Sequence, residues 1–331
     1  FDYYFGDDVP NFPPYAWIEN DRVVEAPTEP LMATPPTAEG NWEARPGPMV
    51  PGWKLDAVVP TITQKAVAWL ENNAPSGDPL FLYFPLTSPH APIVPTDVYL
   101  GTSKAGGYGD FVVQTDAACG AVIDCLKRLG LEGNTLVVFS SDNGPEIYCY
   151  ERLKKFEHRS MGPLRGIKRD VWEGGHRVPM IVKWPGTVPA GKTCDRLVVQ
   201  TDLFATIAEA IGSPLEVSHA EDSISQLPLL REPDGPLIRS WTIHNTYKGR
   251  YALRQGDWLF FDGPDGDARK APAWFAAQEG WDESGEPYAL FNLAEDIGQK
   301  KNLYTANRER AQEMQQRLGE LREQPGSIRG K

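Results

Sequence analysis

The 331-residue chain carries 33 Lys+Arg against 45 Asp+Glu, a formal charge of −12 with histidine neutral. With 41% hydrophobic and 24% charged residues it reads as a globular chain of one large or two ordinary domains, which excludes a disordered or collagenous one. The acidic balance argues against nucleic acid as a partner, because phosphate-backbone binding works through clustered basic charge that releases counterions.

Residues 1–60 show no sustained hydrophobic period and are crowded with proline, glycine and acid, as at Pro13-Pro14, Pro35-Pro36 and Pro46-Gly47-Pro48. They read as an extended segment wrapped on the body. The chain opens on Phe1 without a basic n-region or apolar h-region, so a targeting segment is expected to lie outside it. A helical period begins at Thr63, with Ala66, Val67, Trp69 and Leu70 on one side, and stops before Pro75. Leu80-Phe-Leu-Tyr-Phe84 is a continuous apolar run, expected as a buried strand of a parallel sheet covered on both faces. Even extended to Leu86, this run falls far short of the ~20 residues that span a bilayer, so no membrane span is expected.

Tyr108 to Leu129 is a long amphipathic helix closed by Gly130, and Thr135-Leu-Val-Val-Phe139 is a second buried strand. Strand, long crossover and strand imply a right-handed parallel βαβ unit. Val178 to Val182 reads as another strand and Leu203 to Ile211 as another helix. Later come short strands at Trp241–Asn245, Arg250–Arg254 and Asp257–Phe261, then a charged helix from Asn307 to Arg322. The expected fold class is α/β, a mostly parallel doubly wound sheet with a small C-terminal antiparallel sheet plus helix. Cys119, Cys125, Cys149 and Cys194 show no zinc-site spacing. Cys119 and Cys125 sit about 9 Å apart along one helix, beyond disulfide reach, so at most Cys149 and Cys194 could pair.

Ligands of open α/β sheets sit beyond the carboxyl ends of the strands. The first strand ends in Thr87-Ser-Pro-His90-Ala-Pro92 and the second in Ser140-Ser-Asp142-Asn143-Gly144, so this geometry would bring His90, Asp142 and Asn143 to one edge. Adjacent carboxylate and amide oxygens suit a hard cation, Ca²⁺ or Mg²⁺. Asp-Asn-Gly reads equally as an Asx turn, and His90 as a loop histidine satisfied by backbone. The stretch from Pro163 to Pro179 frames Arg165, Lys168 and Arg169 between glycine turns directly before a strand, a constrained set of cations for an oxyanion. For Arg165 and Arg177 a structural ion pair reads at least as well; Lys168 is the one favoured for ligand contact. A hard cation, a histidine and a lysine together would polarise a phosphate or sulfate ester.

Ser88-Pro-His90-Ala-Pro, Phe139-Ser-Ser-Asp142-Asn143-Gly144, Leu164-Arg-Gly-Ile-Lys168, Trp172-Glu-Gly-Gly-His-Arg-Val-Pro179 and Ala289-Leu-Phe-Asn-Leu293 resemble, in order, the formylglycine-dependent, arylsulfatase-like sulfatases of the alkaline-phosphatase-like superfamily. The resemblance implies a calcium-assisted sulfuric ester hydrolase with Asp142 and Asn143 as calcium ligands. His90 would contact the sulfate ester and Lys168 would bridge the sulfate and leaving-group oxygens. His158 is the foremost candidate for the substrate-binding rim, ahead of His176; His244 is assigned rather to the small sheet. Implied partners are a sulfate-ester small molecule or a sulfated carbohydrate, and implied locations are periplasmic, secreted or lysosomal. On this reading residues 1–60 wrap the main domain, 61–235 form the C-terminal part of the catalytic α/β domain and 236–331 a small α+β subdomain.

Neither the family's Cys/Ser-x-Pro/Ala-x-Arg signature, whose first residue becomes formylglycine, nor its Gly-Lys-Trp-His block is found, nor the early Asp-Asp pair that completes the calcium site in the family. The chain is therefore expected to begin after its nucleophile and to be inactive alone, with an apolar sheet edge that the missing N-terminal segment covers. Two alternatives stay open: a phosphate or phosphonate ester hydrolase on the same scaffold, and a non-catalytic oxyanion-binding remnant.

Overall fold

The computed structural model describes residues 1–32, 37–39, 44–213, 215–216, 219–246, 248–281 and 285–323. Pro35-Pro36 of the wrapping segment lies outside them. The chain forms two compact units, Phe1–Gly133 with Lys154–His158, and Asn134–Leu153 with Arg159–Lys331.

In the first unit, β1 (Phe5–Gly6), β2 (Ile18–Glu19) and β3 (Arg22–Val23) form an antiparallel meander, and β4 (Glu29–Leu31) pairs with β5 (Gly47–Met49). Strands of two or three residues are what a proline-rich stretch allows, since proline donates nothing to a ladder. Buried Tyr15 pins the segment, its hydroxyl donating to the Arg45 carbonyl at 2.7 Å. On α1 (Val58–Asn73), Lys65 reaches back over the Phe5 ring at 4.3 Å and pairs with Glu19 at 3.2 Å. Val58, Val59, Ile62, Ala66 and Leu70 make one buried stripe at helical spacing on α1. Val59 joins Phe111 and Ala118 of α2 (Gly106–Arg128) and Ile93 in one core cluster.

The expected strand at Leu80–Phe84 is corrected. These residues carry no strand, and Phe81 and Tyr83 are 58% and 69% exposed while Leu82 is half-buried. Burial on both faces needs a ladder partner on each side, and no described strand pairs with this run. Its outward row is met in part by Phe1, whose ring stacks on Phe81 at 5.8 Å.

The second unit opens with β6 (Val137–Ser140). After α3 (Cys149–Phe156), whose last residues fall in the first unit, and α4 (Glu173–His176), β7 (Met180–Lys183) returns antiparallel to β6 with Val138 opposite Val182. The expected parallel βαβ unit is thus not formed among the described residues, where every ladder between strands is antiparallel. Then come α5 (Asp202–Ala210), α6 (Leu227–Arg231), β8 (Trp241–Asn245), β9 (Tyr251–Gln255), β10 (Trp258–Phe261), α7 (Ala273–Glu279), β11 (Ala289–Asn292) and α8 (Arg308–Glu323). The last four strands form one antiparallel sheet in the order β11-β10-β9-β8. Period-two alternation splits their side chains. Leu253, Phe260 and Leu290 pack with Ala311, Met314 and Leu318 of α8, whereas Ala252, Leu259, Phe261, Ala289 and Phe291 pack with Val171 and Trp172. The fold class is therefore α/β with a small C-terminal antiparallel sheet plus helix, as expected.

All four cysteines are free, and burial pushes the Cys149 thiol up to about 12, which makes it inert at neutral pH. Among the described residues no helix is long and apolar enough to cross a membrane.

One buried charge cluster holds the second unit. Asp202, at the start of α5, accepts hydrogen bonds from the Arg239 guanidinium, from Gln226 Nε2 at 3.0 Å and from the Ile224 N–H at 3.0 Å. Asp202→Ala leaves the buried guanidinium unpaired and should cost about 3–5 kcal/mol. Urea unfolding should show this as a lowered midpoint at unchanged slope.

Candidate active site

Beyond β6 the chain turns through Ser141-Asp142-Asn143-Gly144-Pro145, and two backbone hydrogen bonds stitch this turn to the basic loop. Gly144 N–H donates to the Gly175 carbonyl at 3.0 Å, and Lys168 N–H donates to the Pro145 carbonyl at 2.8 Å. The approach is so close that a Cβ on Gly144 would lie 1.8 Å from the Gly174 carbonyl oxygen. Gly174 in turn donates to the Arg165 carbonyl at 2.7 Å, and a Cβ there would meet the Gly166 carbonyl at 2.5 Å. Asp142, Asn143 and Lys168 therefore share one rigid backbone frame.

Asp142 is exposed and its carboxylate makes no hydrogen bond among the described residues. Asn143 donates from Nδ2 to the Gly144 carbonyl at 3.0 Å, which leaves its side-chain oxygen unengaged. Gln200 braces the turn by donating to the Ser141 carbonyl at 2.5 Å. Two adjacent unengaged side-chain oxygens fit a hard cation, and they supply a part of the 6–8 oxygen ligands that Ca²⁺ takes.

Lys168 is half-buried, and its ammonium makes no hydrogen bond or ion pair among the described residues. Its neighbour differs: Arg169 sits at φ 80° and its guanidinium is engaged by Glu146 at 2.6 Å. Burial pushes the Glu146 carboxyl up, but the Ile147 N–H and the Arg169 guanidinium outweigh it and hold the group below the usual range. Arg165 is structural as well, buried between Trp172 at 3.7 Å and Trp281 at 4.2 Å and donating to the Gln299 carbonyl at 3.0 Å. Arg177 pairs with Glu173 at 3.2 Å.

Asp170 closes this loop. Its carboxylate accepts from Ile167 N–H at 2.9 Å and from Ala268 N–H at 2.7 Å, fixing the Lys168 turn to the segment that follows the small sheet's third strand. Burial pushes Asp170 up to about 7.

The first unit carries the two other expected residues. His90 is exposed, with its N–H donating to the Thr87 carbonyl at 3.1 Å and its Nδ1 at 2.6 Å from the Ala91 carbonyl. A carbonyl only accepts, so Nδ1 carries the proton and Nε2 of the neutral ring is left as an acceptor. The buried Ser88 hydroxyl donates at 2.7 Å to the hydroxyl of Thr115 on α2, which itself donates to the Phe111 carbonyl, and this anchors the loop. The His158 ring lies 5.9 Å from that of Tyr108.

A further cluster lies in the second unit: Glu173, His176 and His244 place one ligand atom each within 4.8 Å of one another. Sequence reading set His176 among the rim candidates and His244 in the small sheet, where it does lie, on β8. The signal available for the cluster was Glu173-x-x-His176, which puts two donors on one face of a helical turn.

The sulfatase family model matches residues 17–213. The chain belongs to the sulfatase family. It is 31% identical over 272 residues to an N-acetylgalactosamine-6-O-sulfatase of Bacteroides thetaiotaomicron, covering 80% of this chain and 51% of that sulfatase. With arylsulfatase A of Bos taurus it shares 31% over 299 residues, 88% of this chain and 56% of the relative. The chain thus spans about half the length of the curated sulfatases it matches. A structure from work on glycosaminoglycan metabolism by Bacteroides thetaiotaomicron superposes with a TM-score of 0.80 at 26% identity, covering 98% of this chain and 73% of that one. These neighbours carry the alkaline-phosphatase-like sulfatase fold expected from the motifs.

The Asp170 shift has a testable sign. Its folded pKa, about 7, is raised above the unfolded value, so the stability it contributes is full below about pH 4 and is lost as pH rises through about 7. Asp170→Asn cannot ionise. Melting temperatures of the two proteins should therefore shift in favour of the variant between pH 5 and about 8; a constant difference would contradict the raised pKa.

Proposed function

We propose that this chain is part of a sulfuric ester hydrolase acting on a sulfated carbohydrate, in a periplasmic, secreted or lysosomal setting. The observation that carries this reading is the unengaged Lys168 ammonium, tied through the Pro145 carbonyl to the turn of Asp142 and Asn143. A half-buried ammonium that makes no hydrogen bond or ion pair among the described residues, with Glu146 acting on it only at a distance, suits an anionic group that arrives with the substrate. The relatives named as N-acetylgalactosamine-6-sulfatases support a sulfated sugar as the substrate class.

Lys168 holds the sulfate and the leaving-group oxygen and offsets the charge that develops as the ester bond breaks. His90 presents Nε2 to the ester, and His158 contributes to substrate binding. Asp142 and Asn143 would hold Ca²⁺, or Mg²⁺ on the same oxygens, which when bound supplies positive charge against the sulfate. The formylglycine nucleophile of the family has no matching Cys or Ser in this sequence, so the chain by itself should turn over no sulfate ester. Hydrolysis of an aryl sulfate by purified 1–331, lost in His90→Ala, would refute that.

In the enzyme carrying its nucleophile segment, Lys168→Ala should lower kcat on the order of a hundredfold or more. Lys168→Arg should rescue poorly, because a planar fork does not replace a compact point charge. Arg169→Ala should change KM modestly or not at all, since its guanidinium is engaged by Glu146. Steady-state kinetics decide the assignment: a crippled Arg169→Ala beside a near-silent Lys168→Ala would reverse it.

A further inference from the structure

Glu173 is the least accessible charged residue of the second unit's motif loop, with none of its surface exposed. One carboxylate oxygen, Oε2, is engaged by Arg177 and Arg254, each at 3.2 Å. The other, Oε1, is buried without any hydrogen-bond partner. A buried carboxylate oxygen stripped of water and given no donor is destabilising, so it calls for a donor or a cation. Both guanidinium groups sit on Oε2, and Oε1 is left without a donor.

Two imidazoles lie close to this carboxylate. His176 follows Glu173 at i+3 on the same helical turn, and His244 comes from β8 with its ring centroid 3.8 Å from that of His176. His244 Nε2 is a second buried polar atom without a partner, whereas His176 Nε2 lies 3.2 Å from the Val171 carbonyl. The two rings are tilted at 45° to one another. An imidazole nitrogen without a proton offers a lone pair to a metal, so zinc binding at such a pair is in competition with protons.

From this juxtaposition we infer that Glu173, His176 and His244 form a binding site for a borderline transition-metal dication of the Zn²⁺ type, separate from the oxygen site of Asp142 and Asn143. The donor set, two imidazole nitrogens and one carboxylate oxygen, is one that Zn²⁺ takes with a water in fourth place, and it does not suit Ca²⁺. The three ligand atoms lie within 4.8 Å of one another. Tetrahedral coordination with bonds of ~2.0–2.1 Å sets ligand atoms about 3.3 Å apart, within reach of small side-chain rotations. Both histidines are half-buried, whereas the Glu173 carboxylate is fully enclosed. The neighbouring Arg177 and Arg254 oppose a dication, which favours moderate over very tight affinity.

The test is calorimetric titration of the EDTA-treated, exchanged chain with ZnCl₂ near neutral pH. The expected result is one equivalent bound with a Kd of about 10 μM or tighter. His176→Gln and His244→Gln, which preserve bulk, should each weaken binding at least tenfold. His219→Ala and Cys194→Ser should leave it unchanged, both side chains being exposed and outside the cluster. Excess CaCl₂ should not displace the zinc. The inference is overturned by the absence of saturable binding, by binding that both glutamine variants leave intact, by loss of binding in Cys194→Ser, or by displacement with calcium. Should a glutamine variant fail to fold, Co²⁺ added to the unaltered chain still decides: visible absorption of a tetrahedral, nitrogen-ligated ion is expected, and the faint spectrum of the hydrated ion refutes the site.

Discussion

The hydrogen bond from Gly144 N–H to the Gly175 carbonyl, 3.0 Å long, sets a backbone separation that no side chain could share. The Asp142-Asn143 turn, the Arg165–Asp170 loop and the short Glu173–His176 helix all depend on that separation. Gly144, Gly166, Gly174 and Gly175 line the seam, and a Cβ at any of them would strike an atom at 2.5 Å or less. Helix, loop and turn are thereby held edge to edge by main-chain bonds, and the charged side chains are free to face other partners. Precision in the placement of Lys168 comes from its amide, through the Pro145 carbonyl, rather than from its flexible stem.

The seam needs a support, and the small C-terminal sheet provides it. Trp172 is 1% exposed and packs edge-on to Phe261 and Phe291, while its indole N–H donates to Asp267 at 2.6 Å. Arg165 stacks on its other side. The sheet's far face is closed by α8. A motif loop rich in glycine would otherwise be mobile on entropic grounds; here the buried Trp172 indole and the Asp170 carboxylate clamp it near its middle. The subdomain that follows the motif in sequence is thus the floor on which the motif rests.

Charge is apportioned within the same few residues. Arg169 is taken by Glu146, Arg177 and Arg254 by Glu173, and Arg165 by two indoles and the Gln299 carbonyl. Lys168 is left with its ammonium unengaged. Of these five cations four hold the frame, and the Lys168 ammonium alone of them makes no hydrogen bond or ion pair among the described residues. The same engagement of Glu173 Oε2 leaves Oε1 without a hydrogen-bond partner, on a carboxylate close to two imidazoles.

The amino-acid sequence by itself determined what depends on neighbours in the chain. Helices at Val58–Asn73, Gly106–Arg128, Asp202–Ala210 and Arg308–Glu323, and the three strands from Trp241 to Phe261, fall within a few residues of where hydrophobic period and turn signals set them. The motifs Asp142-Asn143-Gly144 and Glu173-Gly-Gly-His-Arg-Val-Pro were legible as strings of residues, whereas the close approach that requires Gly144, Gly174 and Gly175 belongs to the tertiary structure. Tertiary structure alone decided pairings between distant residues. An apolar run such as Leu80–Phe84 states that it can be buried, not which strand lies beside it, and Val137–Ser140 paired antiparallel with Met180–Lys183 instead. Nor does a run of basic residues reveal which one is neutralised: Lys168 and Arg169 are adjacent, and only the position of Glu146, over twenty residues away, separates them. His176 and His244 meet because β8 delivers one to the helical turn that carries the other, a proximity that no local period encodes.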